Sequence, residues 1–190
     1  MTNHVNVLLL FSLLLGVSFG HTTTGRTAHG LVGIPITMYK PTCAFACRAA
    51  ISSAQLNCST VEMAAMEGMS ASFSTSPKCY ATDDFFLQTL AWCISSRCTE
   101  EPVWQLEKYW LLNVAGIQPG QPNPKEPYEA ALLKVSSPPT VIFNSTLEVL
   151  NSTQVVDDSD WLPQYETLFT FEKVEDNHEK YGYFASHFFS

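Results

Sequence analysis

Residues 43–98 read CAFACRAAISSAQLNCSTVEMAAMEGMSASFSTSPKCYATDDFFLQTLAWCISSRC and contain every cysteine of the 190-residue chain. The cysteines are Cys43, Cys47, Cys58, Cys79, Cys93 and Cys98. An even number of cysteines in an exported chain indicates a disulfide framework, because thiols are oxidised in the secretory pathway. The sequence does not choose among the possible pairings. Zinc is the competing interpretation, and it is disfavoured because the close pairs lack the usual ligand spacing.

The N-terminus resembles a secretory leader. Met1–Gly20 is predicted to be a signal peptide, with an apolar run at Val7–Leu15 and small residues at Ser18 and Gly20 for cleavage. The apolar run is too short to cross a membrane. Three N-glycosylation acceptors also point to export, and they are Asn57, Asn144 and Asn151. We therefore expect a protein of the secretory pathway.

The chain after the leader is long enough for one domain with a modest core. We predict an extended segment at 21–40, a six-cysteine helical domain at 41–98, and a helical and loop extension at 99–182. The tail, 183–190, is interpreted as divergent and as a sign of truncation. Acidic residues concentrate near the C-terminus, where nine of the eighteen fall between Glu148 and Glu179. The expected fold is mostly α, a small disulfide-braced helical ectodomain with one long acidic C-terminal helix.

Helical spacing and capping residues place the elements of the cysteine block. Pro41 is expected to begin a helix that ends near Gln55 or Leu56, because proline suits the first helical turn. A short helix is predicted at Val61–Glu67, and a loop at Ser70–Lys78. Thr82 is expected to cap the next helix, which carries Asp83 and Asp84 in its first turn and continues through Cys93.

Further elements follow the cysteine block. A helix opened by Glu101 and Pro102 places Leu106, Trp110 and Val114 on one face and ends at Gly116. The proline-rich loop that follows leads to further predicted elements, which are a short helix at Tyr128–Val135, a brief strand at Thr140–Phe143 and an amphipathic helix at Asp158–Tyr181.

Several residues could bind metal. Met63, Met66 and Met69 recur every third residue, and thioethers suit Cu(I), although core packing also explains them. Cleavage after Gly20 would expose His21, which with His29 could chelate copper in an N-terminal brace. That arrangement needs a β-sandwich, and the helical pattern disfavours it.

The composition argues against several other functions. The net charge of −8 disfavours nucleic acid as a partner. The cysteines are expected to be in disulfides and the histidines lie towards the two ends of the chain, so no Ser-His-Asp or Cys-His arrangement can be assembled. A glycine-rich phosphate loop is absent from the sequence. No cofactor is therefore expected on this chain.

Four segments of the block carry a family resemblance. They are PTCAFAC at 41–47, LNC at 56–58, SPKC at 76–79, and TDD at 82–84 with FLQTLAWCI at 86–94 and the cysteine at 98. Together with the run 30–39 before them, they resemble the extracellular N-terminal region of fungal ferric-chelate (ferric/cupric) reductases. The tail FEKVE at 171–175 and HEKYG at 178–182 resembles the stretch before that family's first membrane span.

The resemblance implies a plasma-membrane protein that passes electrons from NADPH through FAD and two haems to Fe(III) or Cu(II) chelates outside the cell. The haem, flavin and nicotinamide parts would all lie beyond Gly182, so no catalytic residue is carried over. The chain is interpreted as a fragment, a product of a truncated gene or a free secreted ectodomain. A membrane partner is expected only if the downstream spans exist.

The first cysteines also resemble fungal eight-cysteine modules that bind haem through an aspartate. Two cysteines of that pattern are missing here. Asp83 is the residue that could take the aspartate's part, although its place in a first helical turn also explains it. The alternative function is therefore a free secreted haem- or metal-binding cysteine-rich module.

Overall fold

The computed structural model describes residues 28–29, 35–36, 39–63, 72–144 and 149–188, with the backbone alone at 28–29, 35–36, 63 and 174–188. These residues form α-helices with two small antiparallel strand pairs. The helices are α1 Thr42–Ala50, α2 Pro77–Thr82, α3 Asp84–Arg97, α4 Val103–Asn113, α5 Tyr128–Leu133 and α6 Asp158–Phe188. The strands are β1 Ala28–His29, β2 Pro35–Ile36, β3 Thr60–Met63 and β4 Ser72–Ser74. The predicted mostly helical, disulfide-braced fold is confirmed.

Two disulfides join α1 to α3 in an antiparallel pair. Cys43 at the start of α1 bonds Cys98 just after α3, and Cys47 one turn later bonds Cys93 one turn earlier. Cys47 is fully buried and Cys93 is almost so. The facing sides of the two helices bury apolar side chains, among them Ile51, Leu87, Leu90 and Ile94. This helix pair is the centre of the core.

The third disulfide, Cys58–Cys79, joins the chain before β3 to α2. Here the predicted helix at Val61–Glu67 is wrong over 61–63, because these residues belong to β3, which pairs with β4. Residues 64–67 of that prediction lie outside the described residues. The β-branched Thr60 and Val61 suit a strand, and the partner strand adds ladder bonds that the local helical spacing could not foresee.

The predicted loop at Ser70–Lys78 is also wrong in part, because it contains β4 and the start of α2. Ser76 caps α2 by accepting a hydrogen bond from Cys79 N–H at 3.2 Å. Pro77 occupies the first helical position, where its missing N–H costs nothing. The Ser-Pro pair is thus a helix start rather than a break.

Two predicted helix boundaries need correction. Thr82 ends α2, and the cap of α3 is Asp83, whose Oδ1 accepts a hydrogen bond from Phe86 N–H at 2.9 Å. α1 ends at Ala50, earlier than the predicted end near Gln55 or Leu56. The chain turns there because the backbone N–H and the hydroxyl of Ser52 both donate hydrogen bonds to Ala49 O. Serine side chains compete with the helical backbone in this way.

α4 and α5 cover one side of the helix pair. The predicted stripe of α4 is confirmed, since Leu106, Trp110 and Val114 are buried. The carboxylate of Glu107 accepts hydrogen bonds of 3.0 Å from the first two backbone N–H groups of α5. α5 begins after Pro127, which supplies no side-chain cap, so a carboxylate from α4 performs that role.

The segment before α6 crosses α3. Phe143, Leu150 and Val156 are buried in the core, and Ile142 forms a parallel bridge with Val155 where a brief strand was predicted at Thr140–Phe143. α6 extends beyond its predicted end at Tyr181 to Phe188 and contains Pro163 in its second turn. Its side chains are described as far as Lys173, so the arrangement of the acidic residues further along lies outside the described part.

The disulfides are consistent with a protein of the secretory pathway or the extracellular space. Among the described residues, no helix is both long enough and apolar enough to traverse a lipid bilayer.

The buried Cys47–Cys93 disulfide of the helix pair is expected to stabilise the fold more than the Cys58–Cys79 disulfide does. The Cys47–Cys93 bond spans 46 residues and Cys58–Cys79 spans 21, which correspond to about 4 and about 3 kcal/mol of chain entropy. Burial of the first pair adds a cavity cost when it is replaced by alanine. Urea unfolding should therefore show a lower midpoint for C47A/C93A than for C58A/C79A. Equal midpoints, or a lower midpoint for C58A/C79A, would contradict the central role of the Cys47–Cys93 disulfide.

Candidate functional site

A cleft of about 460 Å³ opens where the start of α1, the end of α3 and one side of α6 meet. The Cys43–Cys98 disulfide lies at this junction. The α3–α4 loop forms the opposite wall. The lining side chains are those of Lys40, Pro41, Thr42, Cys43, Arg97, Cys98, Thr99, Glu100, Glu101, Gln105, Trp161, Tyr165, Phe169 and Glu172. The cleft is concave and is lined by polar and aromatic side chains from three parts of the chain, so it is the first candidate for a site.

Arg97 holds one end of α6 on the body. Its guanidinium pairs with Asp158, donates to Val156 O at 3.2 Å and lies 5.0 Å from the centre of the Trp161 ring. Trp161 in turn directs its indole N–H at Cys43 O at 3.4 Å. The last residue of α3 thus fixes the first turn of α6.

Glu172, eleven residues after Trp161, provides a second attachment of α6 to the body. Its carboxylate accepts a hydrogen bond from the Thr42 hydroxyl and forms an ion pair of 3.5 Å with Lys40. Phe171 lies beside Tyr39, with ring centres 6.4 Å apart. α6 is therefore attached at both ends of the cleft, and the cleft is bounded by two ion pairs.

Three aromatic rings stack along the cleft side of α6. Trp161 and Tyr165 have ring centres 4.7 Å apart, and Tyr165 and Phe169 have centres 5.7 Å apart, with nearly parallel planes. Arg97 lies over the first ring and Lys173 lies 4.4 Å from the centre of the last. The faces at the two ends of this column are thus occupied by cations, which the ring quadrupoles attract.

The opposite wall supplies the free polar groups. Within the described structure, the carboxylates of Glu100 and Glu101 and the side-chain amide of Gln105 have no hydrogen bond or ion pair. The two cations of the lining, Lys40 and Arg97, are already paired with carboxylates. The cleft consequently has an excess of unpaired negative charge.

The lining offers hydroxyl, carboxylate, amide and cationic groups. Its described side chains include no histidine and no serine, and its two cysteines are bonded to each other. The Thr42 hydroxyl donates to the carboxylate of Glu172, and both groups hold α6 in place. The groups that remain can donate, accept and exclude water, which is sufficient for non-covalent recognition.

The structure separates the predicted metal residues from the cleft. Asp83 is a nearly buried helix cap at the opposite end of α3. Its neighbour Asp84 has a pKa lowered mainly by its hydrogen bond to Lys125, at 2.6 Å. Met66, Met69 and His21 lie outside the described residues, and Met63 and His29 have only their backbones described, both in strands. Within the described part, no group of three or more acidic, histidine or cysteine side chains is arranged to hold a metal ion.

The three predicted glycosylation asparagines, Asn57, Asn144 and Asn151, are all exposed. The backbone is anchored on both sides of Asn151. Leu150 N–H donates to Gln55 O at 2.8 Å, and Gln154 N–H donates to the Thr89 hydroxyl at 3.0 Å. Asn151 therefore lies at the surface of an anchored segment.

Arg48 is a partly buried cation that the sequence analysis did not single out. Its Nε donates to Val114 O at 2.9 Å, and its guanidinium carbon lies 4.1 Å from the centre of the Tyr80 ring. Burial lowers its pKa and raises that of nearby Tyr109. No carboxylate pairs with Arg48 among the described residues. Arg48 joins α1 to the end of α4.

Asp83 is expected to act as a helix cap. D83A should lower the free energy of unfolding by about 1 kcal/mol, whereas D83N keeps an acceptor for Phe86 N–H and should lose only a fraction of that. Urea unfolding of the two variants measures the contribution of the cap to stability. Haemin titration of each variant measures whether Asp83 binds haem. A haemin signal in the parent protein that D83N abolishes without loss of stability would instead make Asp83 a ligand.

Arg97 is expected to control the attachment of α6. R97M removes an ion pair, a hydrogen bond and a cation–π contact, and we expect a loss of about 1–2 kcal/mol. Amide hydrogen exchange should rise in residues 158–169 of the variant. K173M removes only the exposed cation at the other end of the aromatic column and is the matched control. Unchanged exchange in R97M would show that α6 is held by its other contacts.

The cleft could not be located from sequence because its walls come from three separated segments, 40–43, 97–105 and 161–172. The spacing of Trp161, Tyr165 and Phe169 on one helix face was the available signal, and it did not reveal what the face packs against. Comparison with protein-family models, curated proteins and solved structures gives no match.

Proposed function

We propose that the chain forms the extracellular N-terminal domain of a fungal plasma-membrane ferric/cupric-chelate reductase. In this role it lies at the outer surface where ferric or cupric chelates arrive. The haem, FAD and NADPH parts belong to the rest of such a protein, and this domain by itself reduces nothing. The basis is the resemblance of its cysteine block to that family.

The arrangement of the resembling segments supports the proposal. PTCAFAC forms the start of α1, SPKC the start of α2, and FLQTLAWCI most of α3. The cysteines of these segments bond to one another or to Cys58 and Cys98 of the same pattern. The quoted residues thus coincide with the disulfide-braced centre of the fold, where a shared framework is most constrained.

The continuity of α6 is the observation that carries the proposal furthest. The segment that resembles the stretch before the family's first membrane span, 171–182, lies inside this one helix. Its thirty-one residues would extend for about 46 Å. A helix that is fixed to the ectodomain by Arg97 and Glu172 and continues towards a span would couple the two parts directly.

The cleft then has a defined place in the proposed protein. It lies along α6, so a chelate bound there would be next to the helix that leads to the membrane. The unpaired carboxylates of Glu100 and Glu101 would repel anionic chelates and favour neutral or cationic ones. The domain would select which chelates approach the electron-transfer part.

The proposal is tested on the natural protein in cells of the source organism. An antibody against the folded domain should detect a membrane species much larger than the 21.1 kDa of this chain. That species should resist carbonate extraction, and the immunoprecipitate should show a reducible haem spectrum. Disruption of the gene should lower ferric-chelate reduction by intact cells, and the reintroduced gene should restore it.

The control is a strain that carries the disrupted gene, which should lose the immunoreactive species altogether. Detection of only a soluble species in the medium, no larger than 21.1 kDa once its glycans are removed, together with unchanged surface reduction after disruption, would overturn the proposal. The free secreted module would then be the remaining function of this fold.

A further inference from the structure

A second groove, of about 350 Å³, lies at the end of the helix pair away from the cleft. Its walls are the first half of α3, residue Thr153, and the stretch of chain that follows α5. The side chains that line it are those of Gln88, Lys134, Val135, Ser136, Ser137, Pro138, Pro139, Thr140, Val141 and Thr153. This lining is rich in hydroxyl groups and proline rings.

The lining favours a neutral polar ligand. Lys134 is the only charged side chain among the described residues that line the groove, and it is already paired with Glu126 at 2.6 Å and Asp84 at 3.5 Å. The hydroxyls of Ser136, Ser137 and Thr140 make no hydrogen bond with the described residues. Each can both donate and accept, which matches the hydroxyls of a sugar.

An N-glycosylation acceptor adjoins this groove. Thr153, the third residue of Asn151-Ser152-Thr153, forms part of the wall, and its hydroxyl donates to Gln88 Oε1 at 2.7 Å. Asn151 is exposed. Two residues of extended chain span at most about 7 Å, so a sugar on Asn151 starts at the rim of the groove.

The attachment point is also held in place. Leu150 N–H bonds to Gln55 O on one side of Asn151, and Gln154 N–H bonds to the Thr89 hydroxyl on the other. Leu150 itself is buried. A glycan on Asn151 would therefore leave the surface from a fixed position and not from a free loop.

We propose that this groove is a carbohydrate subsite that holds the first N-acetylhexosamine units of an N-glycan on Asn151. The serine and threonine hydroxyls and the Gln88 amide bind the sugar's polar groups, and Pro138 and Pro139 contact its C–H surfaces. Asn57 and Asn144 do not line the groove. Asn144 is three residues from Val141 and separated from it by the buried Phe143. The inference does not depend on the proposed reductase role.

The test uses the full chain secreted from a glycosylating eukaryotic host. Peptide mass spectrometry measures the occupancy of each asparagine, and an endoglycosidase then removes glycans from the native protein over time. We expect Asn151 to be occupied and its glycan to be released about tenfold more slowly than those on the other occupied sites, because the groove covers the bond between its first sugars. Denatured protein should lose all glycans at one rate.

Ser137→Trp should fill the groove and raise the release rate at Asn151 to that of the other sites. Leu133→Trp, at a residue that is 83 % exposed and outside the groove, is the matched control and should change nothing. Hydrogen exchange of residues 134–141 provides a second readout. Asn151→Gln removes the glycan while keeping the Thr153–Gln88 bond, and it should reduce protection of these residues.

Three results would each overturn the proposal. They are an unoccupied Asn151, native release at Asn151 as fast as at the other sites, and slow release at Asn144 in its place. If Ser137→Trp fails to fold, equal exchange of 134–141 in the glycosylated parent protein and in Asn151→Gln decides against it.

Discussion

The antiparallel pairing of α1 and α3 through Cys43–Cys98 and Cys47–Cys93 is the constraint on which the rest of the structure depends. The two bonds fix the register of the helices, since a step of one turn along α1 matches a step of one turn back along α3. The largest buried side chains lie on or against this pair, including Phe86, Leu90 and Trp110. A chain of this size has a modest core, so covalent closure of the central pair compensates for limited apolar burial.

The same register determines where α6 can bind. Because the first disulfide brings the start of α1 beside the end of α3, Arg97 and Thr42 lie close enough to bind the same helix. Exposed ion pairs contribute little individually, and Asp158 is 74 % exposed in its pair with Arg97. The attachment therefore draws on several modest contacts, including the Trp161 indole and the aromatic column. Its two attachment points leave the space between them open as the cleft.

Local patterns predicted some elements well and others not at all. α3 and α4 were foreseen because their apolar residues recur at helical spacing over several turns. β3 and β4 were missed because a short strand pair is stabilised by the partner strand, and Val61–Met63 alone also fits a helical turn. The predicted cap of α3, Thr82, is one residue too early. Thr82 is the last residue of α2, and the cap is the next residue, Asp83. The disulfide pairing and the cleft depend on contacts between distant segments, which spacing within one segment does not encode.

The helix pair also separates the two concave sites. The cleft lies at the start of α1 and the end of α3, while the Asn151 groove lies beside Gln88, near the start of α3, with Gln55 just beyond α1. The first sugars of a glycan held at the second end would cover surface at the start of α3, whereas Glu100 and Glu101 lie beyond its other end. Asn57, directly after the α1 turn, also lies at the glycan end. The two ligands proposed above, a glycan in the groove and a chelate in the cleft, would therefore be compatible in one small domain, because the antiparallel register places their sites at opposite ends of the helix pair.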